Sequence, residues 1–167
     1  AKLLRLSAEE RGNWDALRGL RTAVFFEAFK PPSPLKVLQR ITGSGGDKGR
    51  ALSPGDTIYT PTSNPFSITF GPLDDVVMGG GSESSFDDTT GIWSGTIVVA
   101  NGGFAGVRSK LLSPPLDLAS CSGVQLKVKG SGQRLKLIVR DDEEWNGVAW
   151  SHSFDTLATG STDVKVP

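Results

Sequence analysis

"VQLKVKGSGQRLKLIVR", residues 124–140, alternates apolar and polar side chains on both sides of a Gly-Ser-Gly step. Val124, Leu126 and Val128 share one side of an extended chain, and Leu135, Leu137 and Val139 do so after the step, with a lapse at Ile138. A period of two marks a half-buried strand, and Gly130-Ser131-Gly132 has turn composition. The stretch predicts an antiparallel hairpin with one shared apolar side. Lys127, Lys129, Arg134, Lys136 and Arg140 then point outward together. Such a basic face suits an anionic protein surface; the plainer reading is a sheet face kept soluble by charge.

The same period recurs outward from this stretch. Phe66–Phe70 alternates, Ile92–Val99 reads as a strand, and Val148–Phe154 and Val164–Val166 are further candidates. Short extended runs separated by Gly, Pro, Asn and Ser, without helical periodicity after residue 50, predict an all-β sandwich or barrel.

Residues 1–50 differ. Ser7-Ala8-Glu9-Glu10 has the form of a capping box. Trp14, Leu17, Leu20, Val24, Phe25 and Ala28 then recur at three- and four-residue spacing, the pattern of one apolar helical face. That face packs on its own domain or docks on a partner or membrane surface. Pro31, Pro32 and Pro34 end the helix, a shorter helical stretch fits 35–41, and "TGSGGDKGR" reads as a linker. The expected organisation is a helical and Pro-rich arm over 1–50 and a sandwich over 51–167.

The 18 basic and 18 acidic residues cancel, which argues against nucleic acid as a partner. Residues 1–50 hold ten Lys/Arg and five Asp/Glu, so a basic arm joins an acidic body. Cys121 and His152 each stand alone in the sequence, which leaves no internal disulfide and no Cys/His zinc set. No apolar run reaches the roughly 18 residues a bilayer span needs.

"DDVVMGGGSESSF", residues 74–86, holds two acids, three glycines and a run of hydroxyls. Its glycines lack the Gly-Lys-Ser/Thr ending of a phosphate loop. Asp74, Asp75, Asp87 and Asp88 are hard oxygen donors of the kind calcium takes, though not at helix-loop-helix spacing. The expectation is a strand, a glycine bend and a second strand with its serines facing out. "DDEEW", 141–145, clusters acids as a glycosidase would, and a charged turn explains it equally. No catalytic residue, metal ligand or cofactor-binding residue is assigned.

Three ordered stretches carry a resemblance: "DDVVMGGGSESSF", "WSGTIVVANGGFAGVRS" and "LDLASCSGVQLKVKGSGQRLKLIVRD". Together they resemble the complex I intermediate-associated protein family, the thirty-kilodalton assembly-factor domain. "NWDALRGLRTAVFFEAFKPPSPLKVLQR", residues 13–40, is similar to the lead-in of cyanobacterial and plastid members. The resemblance implies a jelly-roll, galactose-binding-like sandwich, with further strands beyond Pro167. It implies a non-catalytic interaction protein whose partners are other subunits of a large complex.

The plastid likeness favours a chloroplast, thylakoid-associated setting, with assembly help or a linker role in an antenna such as the phycobilisome. A mitochondrial complex I factor and a carbohydrate-binding module, the latter from Trp145 and Trp150, are the alternatives. Trp14, Arg18, Arg21, Phe25, Phe29, Lys36 and Arg40 become candidate partner contacts beside Lys127, Lys129, Arg134 and Lys136. Asp74, Asp75, Gly79, Gly80, Gly102, Gly103, Phe104 and Arg108 read as architecture, with Phe86, Trp93 and Phe104 in the core and Arg108 bridging to Asp74 or Asp75.

Overall fold

The computed structural model describes residues 2–6, 14–27, 34, 49–99, 103–141 and 147–167. The regular structure of the described chain is mostly β-strand. Strands β1 (Lys2–Leu6), β5 (Ile92–Val98) and β4 (Glu83–Asp87) form one sheet in the order β1-β5-β4. The other ladders are two-stranded: β2 (Arg50–Ala51) with β7 (Leu116–Asp117), β3 (Phe70–Pro72) with β6 (Val107–Ser109), β8 (Val124–Val128) with β11 (Thr162–Val166), and β9 (Arg134–Arg140) with β10 (Ala149–Asp155). Helix α1 (Ala16–Phe25) and a 3-10 turn (Asp75–Met78) lie among them. The all-β reading holds and is consistent with a sandwich; ladders this short do not trace a jelly-roll order.

The expected hairpin does not form. β8 and β9 are both strands and both alternate, but each pairs elsewhere. Val128 stands opposite Thr162, and Arg134 stands opposite Asp155. Between these pairs Thr156 N donates to Gln133 O (3.0 Å) and Gly132 N to Leu157 O (3.1 Å). Residues 124–140 are therefore one arm of a long two-stranded ribbon, and 149–166 are the other. Gly130–Gly132 is a bend in the arm. A Cβ at Gly130 would lie 2.2 Å from Thr156, so the two arms touch at the corner. Alternation states which side of a strand is buried and not which strand lies beside it.

The bend also lies within the expected basic face. Lys127 lies on β8 with Asp163 registered opposite. Arg134 lies on β9 and forms an exposed ion pair with Asp155 at 2.9 Å. Lys136 is exposed on β9 opposite Ser153, and Lys129 lies just past the end of β8. Arg140 turns to donate to Gly147 O at 2.8 Å. Two of the bases thus face acids across their strands, so the exposed side carries both signs of charge.

Phe66–Phe70 is a second correction. Only Phe70 enters a strand. Asn64 brackets Ile68 instead, its side chain donating to Ile68 O (2.9 Å) and accepting from Ile68 N (2.8 Å). Ser67 takes φ +52°, which an extended strand does not allow. Ile68 is buried with Leu52, Val76, Val98, Val164 and Phe26. Tyr59, Phe70 and Phe86 stack beside them, with ring centroids 4.9 Å and 5.2 Å apart for Tyr59–Phe70 and Phe70–Phe86. Phe86 and Trp93 are half-buried partners across β4 and β5, whereas Phe104, expected in the core, is exposed.

The described parts of 1–50 lie on the body and do not reach away from it. β1 extends the β5 edge in parallel register, and α1 packs on the 3-10 turn and on β3. No helix among the described residues is long and apolar enough to cross a membrane.

Candidate functional site

Residues 74–84 form a buried acid–hydroxyl clamp. Asp74 and Asp75 sit where the chain leaves β3 and enters the 3-10 turn. Gly79 follows at φ +86°, a left-handed position that suits glycine. The chain then reverses so that Ser82 and Ser84 come back beside the acids. Asp75 accepts from Ser82 N at 2.8 Å and from Ser82 Oγ at 2.7 Å. Asp74 accepts from Ser84 N at 2.7 Å, Ser84 Oγ at 2.6 Å and Gly106 N at 3.3 Å. Val98 N donates to Ser82 Oγ at 3.0 Å, which ties the clamp to β5.

All four residues are buried and Asp75–Met78 is a 3-10 turn, so the expected first strand fails, while the second strand is present as β4 and of its serines only Ser85 faces out. The physical reason is that buried carboxylates require donors, and these serines, with their own backbone N–H groups, supply them. Burial pushes the Asp74 pKa up, while the bonds from Ser84 and Gly106 and the charge of Arg18 hold it down. The oxygens that calcium would take already accept four close bonds. Asp87 is likewise engaged, by Thr90 Oγ1 at 2.6 Å and Thr89 N at 2.9 Å. Among the described residues no acid, His or Cys grouping is arranged as a metal site.

Two glycines leave the room for the clamp. A Cβ at Gly80 would lie 2.1 Å from the Asp75 carboxyl carbon, and one at Gly103 would lie 1.8 Å from Val98 O. Gly102 lies outside the described residues. Arg108, expected to bridge to the acids, lies with its guanidinium 5.8 Å from the Phe26 ring centroid. Arg18 is a cation acting on Asp74.

Arg18 comes from α1. Asp15 caps that helix by accepting from Arg18 N at 2.9 Å. The Arg18 guanidinium donates to Ser82 O and pairs with Glu83 at 3.2 Å. Gly19 is buried, and a Cβ there would lie 3.0 Å from Val76 O. Trp14 Nε1 donates to that same carbonyl at 3.0 Å. Phe25 meets Phe26 edge-on at 4.9 Å, lies under Lys110 Nζ at 4.3 Å, and fills the space a Gly71 Cβ would take. Arg18 and Phe25, read above as partner contacts, therefore turn inward.

The consequence is a helix mounted with its apolar stripe outward. Leu17, Leu20 and Val24 are 57 %, 53 % and 62 % exposed, Trp14 is 59 % exposed, and Met78 on the supporting turn is 80 % exposed. Spacing of three and four residues places Leu17, Leu20 and Val24 on one side. Arg21 is exposed too. Phe29, Lys36, Arg40, Trp145 and the stretch 35–41 lie outside the described residues. Trp150 stands exposed on β10 opposite Val139, with no second described aromatic beside it in the ladder.

Ser82, Ser84 and Glu83 are the site residues that sequence reasoning missed. Their signal was the pairing of adjacent acids with alternate serines across a glycine triplet.

Residues 63–167 match the family model for Complex I intermediate-associated protein 30. That is most of the chain, and the protein belongs to this family. No curated protein and no solved structure matches it.

Proposed function

We propose that this chain is a non-catalytic interaction module that assists assembly of a complex I-type enzyme, binding complex subunits through the outward stripe of α1. One observation carries the reading: Leu17, Leu20 and Val24 face solvent while the opposite side of the same helix is fixed to the body by Arg18 and Gly19. Contiguous exposed apolar side chains mark interaction sites. Covering each is worth on the order of 1 kcal/mol. The family's printed name supplies the class of partner.

The absence of a reaction is part of the proposal and is supported by the clamp. Its carboxylates are consumed by bonds to Ser82 and Ser84, and groups held this way are architecture. The module is peripheral to the membrane that holds the partner complex, and it carries no cofactor. The family name favours a respiratory, mitochondrial type of setting. The photosynthetic setting rested on residues 13–40, outside the matched segment, and nothing in the match supports it.

The test is co-purification of the full chain with identification of complex I subunits by mass spectrometry. Those subunits are expected with the unaltered chain and lost from Leu17→Asp/Leu20→Asp/Val24→Asp. Equal recovery of the same subunits by both chains would overturn the reading.

A further inference from the structure

The sheet edge formed by β5 is filled by a segment from outside the family-matched part of the chain. β1 pairs with β5 in parallel over five positions, from Lys2 opposite Ser94 to Leu6 opposite Val98. On its other side β5 pairs with β4, so β1 is the edge strand of the sheet. β5 is the strand to which β1 is laddered among the described residues.

The bonds among Asp74, Asp75, Ser82, Ser84 and Gly106 all lie within residues 74–106, and Val98 N is directed to Ser82 Oγ. The β4–β5 pairing, Glu83 opposite Thr96 through Asp87 opposite Ile92, is likewise made within the matched part. Detaching β1 therefore uncovers a row of β5 backbone groups and breaks none of the bonds of the clamp or of the β4–β5 ladder. A bare strand edge of this kind is a template for another strand, and a strand held by one ladder opens at low cost.

We infer that the β5 edge is an exchangeable strand site whose second occupant is residues 2–6 of another copy of this chain. The identical segment makes the identical parallel ladder, so exchange keeps the β1–β5 pairing and differs from the closed monomer by the cost of association. This is the general low-cost route to a dimer. The inference is independent of the α1 reading: the two surfaces lie on different elements and fail separately.

The test uses the full chain carrying Leu4→Cys and Thr96→Cys, registered opposite each other, with the native Cys121 replaced by Ser. Samples are held at low and high protein concentration, oxidised, and run on a non-reducing gel. The expected result is a covalent dimer whose share rises with concentration and which links differently tagged copies. Each single-cysteine chain alone should give much less of it. An internally linked monomer at every concentration overturns the inference, as does no link at all or equal dimer from a single-cysteine chain. A measurement on unaltered protein guards against misfolded variants. Isotopically light and heavy chains are mixed and examined by native mass spectrometry. A mixed dimer is expected and is lost in Leu4→Pro, whose circular dichroism stays that of a folded chain. Monomer alone, or a mixed dimer that survives Leu4→Pro, overturns it.

Discussion

Asp75 accepts both the amide and the hydroxyl of Ser82, at 2.8 Å and 2.7 Å, so one side chain closes the loop between them. The same hydroxyl receives Val98 N, so Ser82 joins loop, acid and strand. Ser82→Ala leaves a buried carboxylate oxygen and a buried N–H without partners. Each such group costs about 1–3 kcal/mol. Urea denaturation should show a loss of that order with an unchanged slope. A loss under about 0.5 kcal/mol would mean the clamp does not hold the loop.

The glycines of the same loop should separate by cause. Gly79 has φ +86° and open space around it, so Gly79→Ala meets only backbone strain, about 1 kcal/mol. Gly80→Ala drives a methyl into the Asp75 carboxyl, and Gly103→Ala drives one into Val98 O. Overpacking a rigid site costs about 1–3 kcal/mol or more. Both should melt well below Gly79→Ala in a thermal scan; three equal melting shifts would contradict the geometry.

Asp74 and Asp87 should give opposite pH dependences. Burial raises the Asp74 pKa above 3.8, so the folded state binds this proton more tightly than the unfolded state does. Its contribution to stability is therefore greatest below 3.8 and declines as pH rises through the raised value. The Asp87 pKa is lowered, first by the Thr90 hydroxyl and then by Thr89 N. Its contribution is present above 3.8 and is lost as pH falls through the lowered value. The stability difference between the unaltered chain and Asp74→Asn should shrink as pH rises above about 4. Growth of that difference over the same range would reverse the sign assigned to Asp74.

Much of the fold was legible because burial on one side writes a period of two. Ile92–Val98, Val124–Val128 and Arg134–Arg140 were all readable as strands. Their partners were not, because the pairing of Arg134 with Asp155 depends on a corner that Gly130–Gly132 and Thr156 make together across the chain. The loop acids were read as calcium-type donors or as partners of Arg108 because sequence does not show that Ser82 and Ser84 turn back toward them. The α1 stripe was read as apolar and one-sided, which holds for Leu17, Leu20 and Val24, whereas Phe25 turns inward. The stripe's direction was hidden, because it is set by a buried glycine and by an arginine whose acceptor lies 64 residues away.

That direction leads to the last prediction, which sets the two sides of α1 against each other. Leu20→Glu alters an exposed position and keeps a good helix former. Surface changes of this type stay within about 0.5 kcal/mol, so the folded chain should persist while binding to complex subunits is lost. Phe26→Ala removes a buried ring that meets Phe25 edge-on, and a change of this kind costs about 3–5 kcal/mol. Chemical denaturation of both variants, with subunit capture measured beside it, distinguishes the roles. If Leu20→Glu unfolds the chain as readily as Phe26→Ala, the stripe is covered by the protein itself and is not a docking face. If Leu20→Glu stays folded and still captures the subunits, the partner binds elsewhere.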